Sequence, residues 1–427
     1  MGPSSDLGKI FRSARHAQDM TQGEVGRAVG YSASAISRIE RNKMRVDLET
    51  RLRLAQVLHI PPERVSEFPA PADPVIATVG NVPMPDEEDA MRRRTVLGAL
   101  AAGASTVAVG TGTAMGQPST GLSLDDMLFR LPGAEPAPLR VLASGTAAAR
   151  EAFTAARYND LANALPSLLS AAEATRDASS GRARQQASAV LARGYVLAAE
   201  LAAKEHSDTA WVAADRALAA ARASGMPIPI GEATRVLAIT MRRSGRASSA
   251  VRLLTHEGDQ LDPAEARTGA VRTSLLLTAA YSAAAGGDRT TALALLDEAD
   301  ETVERHPQAP DGLFTVDATR TQVAVYRIGV HTTLGTPDEG VQIAQGLDIS
   351  LMPNAERRAR AWTDTARMWH ALGNGEQAFA ALRRVEQEAA QEVRRPALRA
   401  LTSNLLYGPA RVSGLREFAR RTGAVPA

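Results

Sequence analysis

Apolar residues recur at helical spacing from the start of the chain. Leu7, Ile10, Phe11 and Ala14 mark a first helix. Thr21 and Glu24 stand three apart as a capping box ahead of Val25, Ala28 and Val29, and Gly30 ends that helix. Ser32 caps the next, whose apolar positions are Ile36 and Ile39. Asn42 follows it, a residue that tolerates the left-handed conformation of a helix C-cap. Asp47 is expected to cap a further helix that buries Leu48, Leu52, Ala55 and Leu58 on one face. Pro61 and Pro62 break it, and Glu63 to Phe68 make a last turn. Residues 1–68 therefore read as a compact five-helix module.

From about residue 140 to 427 helix follows helix. Turns fall near Tyr158, Ser207, Gly245, Gly287, Gly335 and Gly373, at spacings of 49, 38, 42, 48 and 38 residues. After each of them an Ala- and Leu-rich motif is expected to return, as in Ala162 to Leu169, Ala214 to Leu218, Ala250 to Leu254, Ala292 to Leu296, and Ala378 to Leu382. A unit of roughly 40 residues that repeats in this way predicts a curved helical solenoid. Aromatics are only 4% of the chain, so Ala, Leu and Val must build the core, which suits close-packed helices. The expected fold class is all-α.

Residues 69–139 interrupt the periodicity. Pro69, Pro71, Pro74, Pro83 and Pro85 make a semi-extended linker. An acidic run, Asp86 to Asp89, precedes Arg92, Arg93 and Arg94. Thr95 to Ser123 then carries no charge and is long enough to span a bilayer. The arginines followed by Thr-Val-Leu-Gly-Ala-Leu resemble a twin-arginine export signal. Against this, Gly98, Gly103, Gly110, Gly112 and Gly116 make a poor helix, and an export signal belongs at an N-terminus. The preferred reading is a soluble linker or docking helix; the alternative is a membrane-tethered protein whose solenoid is an interaction scaffold.

Charge narrows the chemistry. The chain holds 49 basic and 47 acidic residues, so no global field points to nucleic acid. Residues 1–68, however, hold 11 basic against 8 acidic. All basic residues but Lys9, Lys43 and Lys204 are arginine, and with the abundant alanine this suggests a GC-rich genome. Cysteine is absent, which excludes disulfides, thiolate metal sites and cysteine nucleophiles. The seven histidines are scattered, with no pair at metal-site spacing on a helix. Gly110-Thr111-Gly112 lacks the lysine of a phosphate loop. The reading is of a protein that is not an enzyme and carries no cofactor or metal.

The run Thr21-Gln22-Gly23-Glu24-Val25-Gly26, then Val29-Gly30-Tyr31-Ser32, then Ile36-Ser37-Arg38-Ile39-Glu40, resembles the Cro/CI-type helix-turn-helix regulators, also called the XRE family. The resemblance covers about 60 of 427 residues. It implies a cytoplasmic regulator of double-stranded DNA, with the helix from Ala33 to about Arg41 in the major groove. On its outer face Ala33, Ser34, Ser37 and Arg38 would meet base edges, with Ser32 as its cap. Arg38 is the strongest reader, because a guanidinium pairs bidentately with guanine. Ala33 and Ala35, where family members often carry glutamine, could at most touch a thymine methyl. Gln22 resembles the family glutamine that meets a phosphate at a helix N-terminus. Arg41, Asn42, Lys43 and Arg45 look like further phosphate contacts. The bland readings are a solvated loop for Arg41 to Arg45 and an ion pair with a helical neighbour for Arg38.

The architecture resembles actinobacterial and other Gram-positive regulators that join such a module to tetratricopeptide-like repeats. That implies a homodimer formed through the solenoid, and a peptide or protein effector on its concave face. First helices of the repeats carry Arg235, Arg242, Arg272, Arg320, Tyr326, Arg360 and Trp362, which would suit an acidic or free-carboxylate peptide. Equally open is pairing of these arginines with neighbouring acids such as Glu232, Glu265 and Asp317. Trp362 and Trp369 lie seven apart on one helical face and are expected in the core.

Overall fold

The computed structural model describes residues 7–42, 44, 46, 48–62, 65, 131–306, 310–314, 318–408 and 411–425. Every regular element among them is helical. The uncharged segment from Thr95 to Ser123, the proline linker, Lys43, Arg45, Asp47, Asp317 and all of residues 63–68 except Val65 lie outside the described residues.

The N-terminal module holds α1 (Leu7–Ala17), α2 (Gln22–Val29), α3 (Ala33–Glu40) and α4 (Leu48–Val57). Its core is closed and private: Phe11, Val25, Val29, Ala35, Ile36, Ile39, Leu54, Ala55, Leu58 and Val65 pack together. One expectation fails on α4. Leu48 and Leu52 are 44% and 37% exposed, and the buried face is Thr50, Arg51, Leu54 and Ala55, continued by Leu58. Arg51 is held inward because its Nε donates to the Val46 carbonyl at 3.0 Å. The face that packs inward is still apolar, centred on Leu54 and Leu58.

The rest is a two-layer solenoid. The inner layer is α5 (Leu139–Thr154), α7 (Gly181–Glu205), α9 (Pro227–Arg243), α11 (Ala266–Ala285), α13 (Arg320–Thr333), α15 (Ala355–Ala371) and α17 (Pro396–Leu406). Each is followed by an outer partner: α6 (Tyr158–Ala178), α8 (Thr209–Ser224), α10 (Ala247–Asp259), α12 (Arg289–Arg305), the short α14 (Val341–Gly346), α16 (Gly375–Glu388) and α18 (Leu415–Arg421). The repeated Ala-to-Leu motif is the buried stripe of the outer helices. Ala214, Ala250, Ala292 and Ala378 are sealed, as are their partners four residues on, Leu218, Leu254, Leu296 and Leu382. Alanine at the first position lets the two layers approach closely; leucine at the second fills the gap. Gly245, Gly287, Gly335 and Gly373 all sit at φ between 76° and 82°, the left-handed conformation that ends an inner helix. Ala156 and His206 take the same conformation at the two earlier turns.

The inner layer does not stay open. α5 meets α15, so the first and last thirds of the solenoid touch. The Tyr158 amide donates to Gln391 Oε1 at 3.0 Å, and its hydroxyl donates to Glu392. Lys204 reaches Glu392 at 2.6 Å and Glu356 at 2.7 Å. Phe314, from the stretch after α12, enters the same interior, under the guanidinium groups of Arg150 and Arg193. Trp362 and Trp369 are partly buried against the core.

The arginines singled out in the sequence mostly find acids, though others than expected. Arg235 pairs with Glu200, Arg272 with Glu298, Arg320 with Glu304 and Arg360 with Asp364. Glu232 instead takes Arg193, and Glu265 caps α11. Arg242 differs: it has no ion pair among the described residues and lies 4.7 Å from the centre of the Tyr281 ring. No helix of the described residues is long and apolar enough to cross a membrane.

Candidate nucleic-acid interface

The two helices that would hold DNA are set by local chemistry. Thr21 caps α2 reciprocally: its hydroxyl accepts from the Glu24 amide, and the Glu24 carboxylate accepts from the Thr21 amide at 2.7 Å. These bonds hold the Glu24 carboxyl below its ordinary range. Gly30, at φ 77°, closes α2 and turns the chain. Gly26 permits that turn, since a Cβ there would lie 2.3 Å from the Tyr31 carbonyl oxygen. Ser32 then caps α3, accepting from the Ala35 amide at 3.1 Å. A capped helix, a glycine turn and a second capped helix follow within 20 residues, Thr21 to Glu40.

Behind α3 lies an ionic clamp. Glu40 accepts from Arg15 at 2.5 and 3.1 Å and from the Gln22 side-chain amide at 2.8 Å. Burial opposes ionisation of Glu40, but the hydrogen bonds from Arg15 and Gln22 outweigh it and hold the carboxyl below its ordinary range. Gln22, expected at a phosphate, is thus engaged inside the module. Asn42, at φ 54°, ends α3 and stays exposed, while its Oδ1 accepts from the Gly8 amide at 3.0 Å. Gly8 is required there, because a Cβ would lie 2.6 Å from the Glu40 carbonyl oxygen.

The outward residues sort differently. Ala33 and Ser34 are exposed; Ser32, Ser37 and Arg38 are half-buried. Ala35 is sealed in the core and is no base contact. Arg41 is exposed and folds back on Ser37, donating to its carbonyl at 3.1 Å and its hydroxyl at 2.9 Å. Lys43 lies outside the described residues.

Arg38 and Ser32 converge on the solenoid. Arg38 Nη2 lies 2.8 Å from Asp338 Oδ1, and Ser32 Oγ donates to Asp338 Oδ2 at 2.9 Å. Asp338 sits in a 3-10 turn, Pro337–Gly340, between α13 and α14. Beside it Arg289, at the start of α12, stacks 4.6 Å from the centre of the Tyr31 ring and pairs with Glu339 at 2.7 Å. Arg53 of α4 reaches Thr290 at 3.4 Å. Sequence reasoning had no signal for Asp338 or Arg289, which stand about 300 and 250 residues away in the chain.

Among known proteins, residues 6–68 match a family described as a helix-turn-helix domain. No curated protein and no solved structure matches the chain. The N-terminal module is a helix-turn-helix DNA-binding domain on a helical body.

Proposed function

We propose that the chain is a sequence-specific transcriptional regulator of the Cro/CI type that lays α3 in the major groove. The observation that carries this is the pair of capped helices across the Gly30 turn, with Ser34 and Arg38 on the outward side of α3. A helix so presented can offer its N-terminal residues to base edges while its own N-terminus meets a phosphate. In this reading Arg38 reads a guanine, Ser34 and Ser37 add weaker contacts, and Arg41 and Lys43 neutralise phosphates. Ala33 and Ser32 lie at the groove edge. The test is selection from a randomised duplex library with the full chain at low salt. Enrichment of one short motif by the full chain or by its Asp338→Asn variant supports the reading; unenriched pools from both count against it.

One such module reads only a few base pairs, so the operating unit in this proposal is a cytoplasmic homodimer spanning two half-sites. The larger body, a tetratricopeptide-like array in this reading, is the dimer surface. Light scattering of the full chain at micromolar concentration should give twice the chain mass. The effector site in this reading is the inner wall around Arg242. Its guanidinium is desolvated, which draws its pKa down to about 10, and the nearby charges of Arg360 and Arg235 add to that. A bound carboxylate would relieve both effects. Titration calorimetry with peptides bearing a free or an amidated C-terminus should separate the two, and Arg242→Gln should abolish the difference.

A further inference from the structure

Asp338 presents its carboxylate at the N-terminus of α3, where Ser32 caps the helix. A helix N-terminus attracts an anion because its first amide groups are unpaired and its dipole is positive there. A DNA phosphate would seek the same place. Asp338 also takes the guanidinium of Arg38, leaving that side chain 19% exposed. A guanidinium committed to a carboxylate at 2.8 Å cannot also fork onto a guanine. The contact is not a single pair. Tyr31, ahead of α3, is covered by Arg289. A Cβ on Gly335 would lie 3.7 Å from Met44, just past α3. Arg53 of α4 closes the far side on Thr290. Burial pushes the Asp338 carboxyl up, but the hydrogen bonds from Arg38 and Ser32 outweigh it and hold it below its usual range. The carboxylate is therefore charged at neutral pH, and it would repel a phosphate brought to the same spot.

We propose that the Pro337–Gly340 turn, with Arg289 beside it, is a receptor surface for the recognition helix, and that duplex DNA competes with it for Ser32 and Arg38. Solenoid docking and DNA binding are then mutually exclusive. The observed arrangement is the silent one, and anything that withdraws the turn switches the protein on. This rests on the DNA-binding reading above, and the test separates the two.

Asp338→Asn keeps the shape and removes the charge. A charge-assisted hydrogen bond lost from the docked state should raise the competent fraction, and affinity with it, roughly ten- to hundred-fold. Binding to a short random-sequence duplex pool at low salt reads this directly. A second variant reports on the docked geometry itself. The chain has no cysteine, so Ser32→Cys with Asp338→Cys creates the only thiol pair. Oxidation should staple α3 to the turn and abolish DNA binding, and a reductant should restore it. If the stapled protein binds DNA as the reduced one does, the docking is refuted. If Asp338→Asn binds like the parent while Arg38→Ala weakens both, docking is inert and the DNA-binding reading stands. If neither the parent nor Asp338→Asn holds DNA at all, the DNA-binding reading falls and takes this inference with it.

Discussion

At the scale of single residues, the α3 surface divides into side chains that support and side chains that read. Glu40 supports. Its side chain is 3% exposed, against Arg15 at 9%, and breaking a buried pair by removing one partner leaves a charge stranded. Glu40→Ala should cost the N-terminal module about 3–5 kcal/mol, seen as an early unfolding transition in urea. Arg38 reads. In an Asp338→Asn background, where docking no longer masks it, Arg38→Ala should cost roughly 1–3 kcal/mol of DNA affinity and relax preference at one base pair. Arg41→Ala should instead weaken all sequences alike and lower the salt dependence by about one unit of slope. Measuring both variants against two duplexes at two salt concentrations separates these roles. If Arg41→Ala changed base preference, the assignment of reader and phosphate contact would be reversed.

At the scale of helices, the solenoid depends on how each inner helix ends. Gly287 stands at φ 82°, and a Cβ there would meet nothing within 4 Å. Gly287→Ala therefore isolates the backbone term, about 1–2 kcal/mol for a left-handed residue with a side chain. The preceding inner helix, α11, ends in this glycine, and α12, which carries Arg289, begins two residues later. Thermal unfolding of the variant should show that loss with the helical content unchanged. A larger loss would mean that the turn also sets the registry of α12 against its neighbours. The sequence had placed this turn correctly because glycine spacing reports helix ends. On α4 the buried face takes in Ala55 and Leu58 as the spacing predicts, but turns on Leu54 and leaves Leu48 and Leu52 exposed, since either leucine stripe satisfies helical periodicity.

At the scale of the molecule, closure of the solenoid rests on buried charge. Lys204 bridges Glu356 and Glu392, whose side chains are 4% and 1% exposed. Burial alone would push both carboxyls up. For Glu392 the cations of Arg395 and Lys204 outweigh it and hold the carboxyl at about 2. For Glu356, Arg357 and Lys204 bring it well below the ordinary range. Carboxyls depressed by folding stabilise the fold above their unfolded value, near 4.5, and lose that contribution as pH falls toward the folded one. The urea midpoint should therefore be flat above pH 5 and drop steeply below about pH 4. Lys204→Met should lower the midpoint at pH 7 and flatten the acid limb, because two carboxylates lose a shared cation. A midpoint unmoved by Lys204→Met would mean that Arg357 and Arg395 suffice to hold the closure.

Local rules made part of this protein legible without coordinates. Capping boxes, glycine turns and i, i+4 apolar pairs act within a few residues. The two helices of the N-terminal motif, the cap at Ser32, the outward face with Ser34 and Arg38, and the repeating Ala-to-Leu stripe could therefore be read from neighbouring letters. What the letters could not carry is which distant groups compete for a side chain. Gln22 and Asn42 look like DNA contacts by position, and the packed chain adds bonds that position does not announce, to Glu40 and to the Gly8 amide. Arg38 has its partner 300 residues away, because a two-layer solenoid happens to bring the turn at Asp338 over α3. Ion pairs have no periodicity and no sequence spacing. Only the packed chain decides which carboxylate meets which guanidinium, and here it sets Asp338 against Arg38 and Ser32.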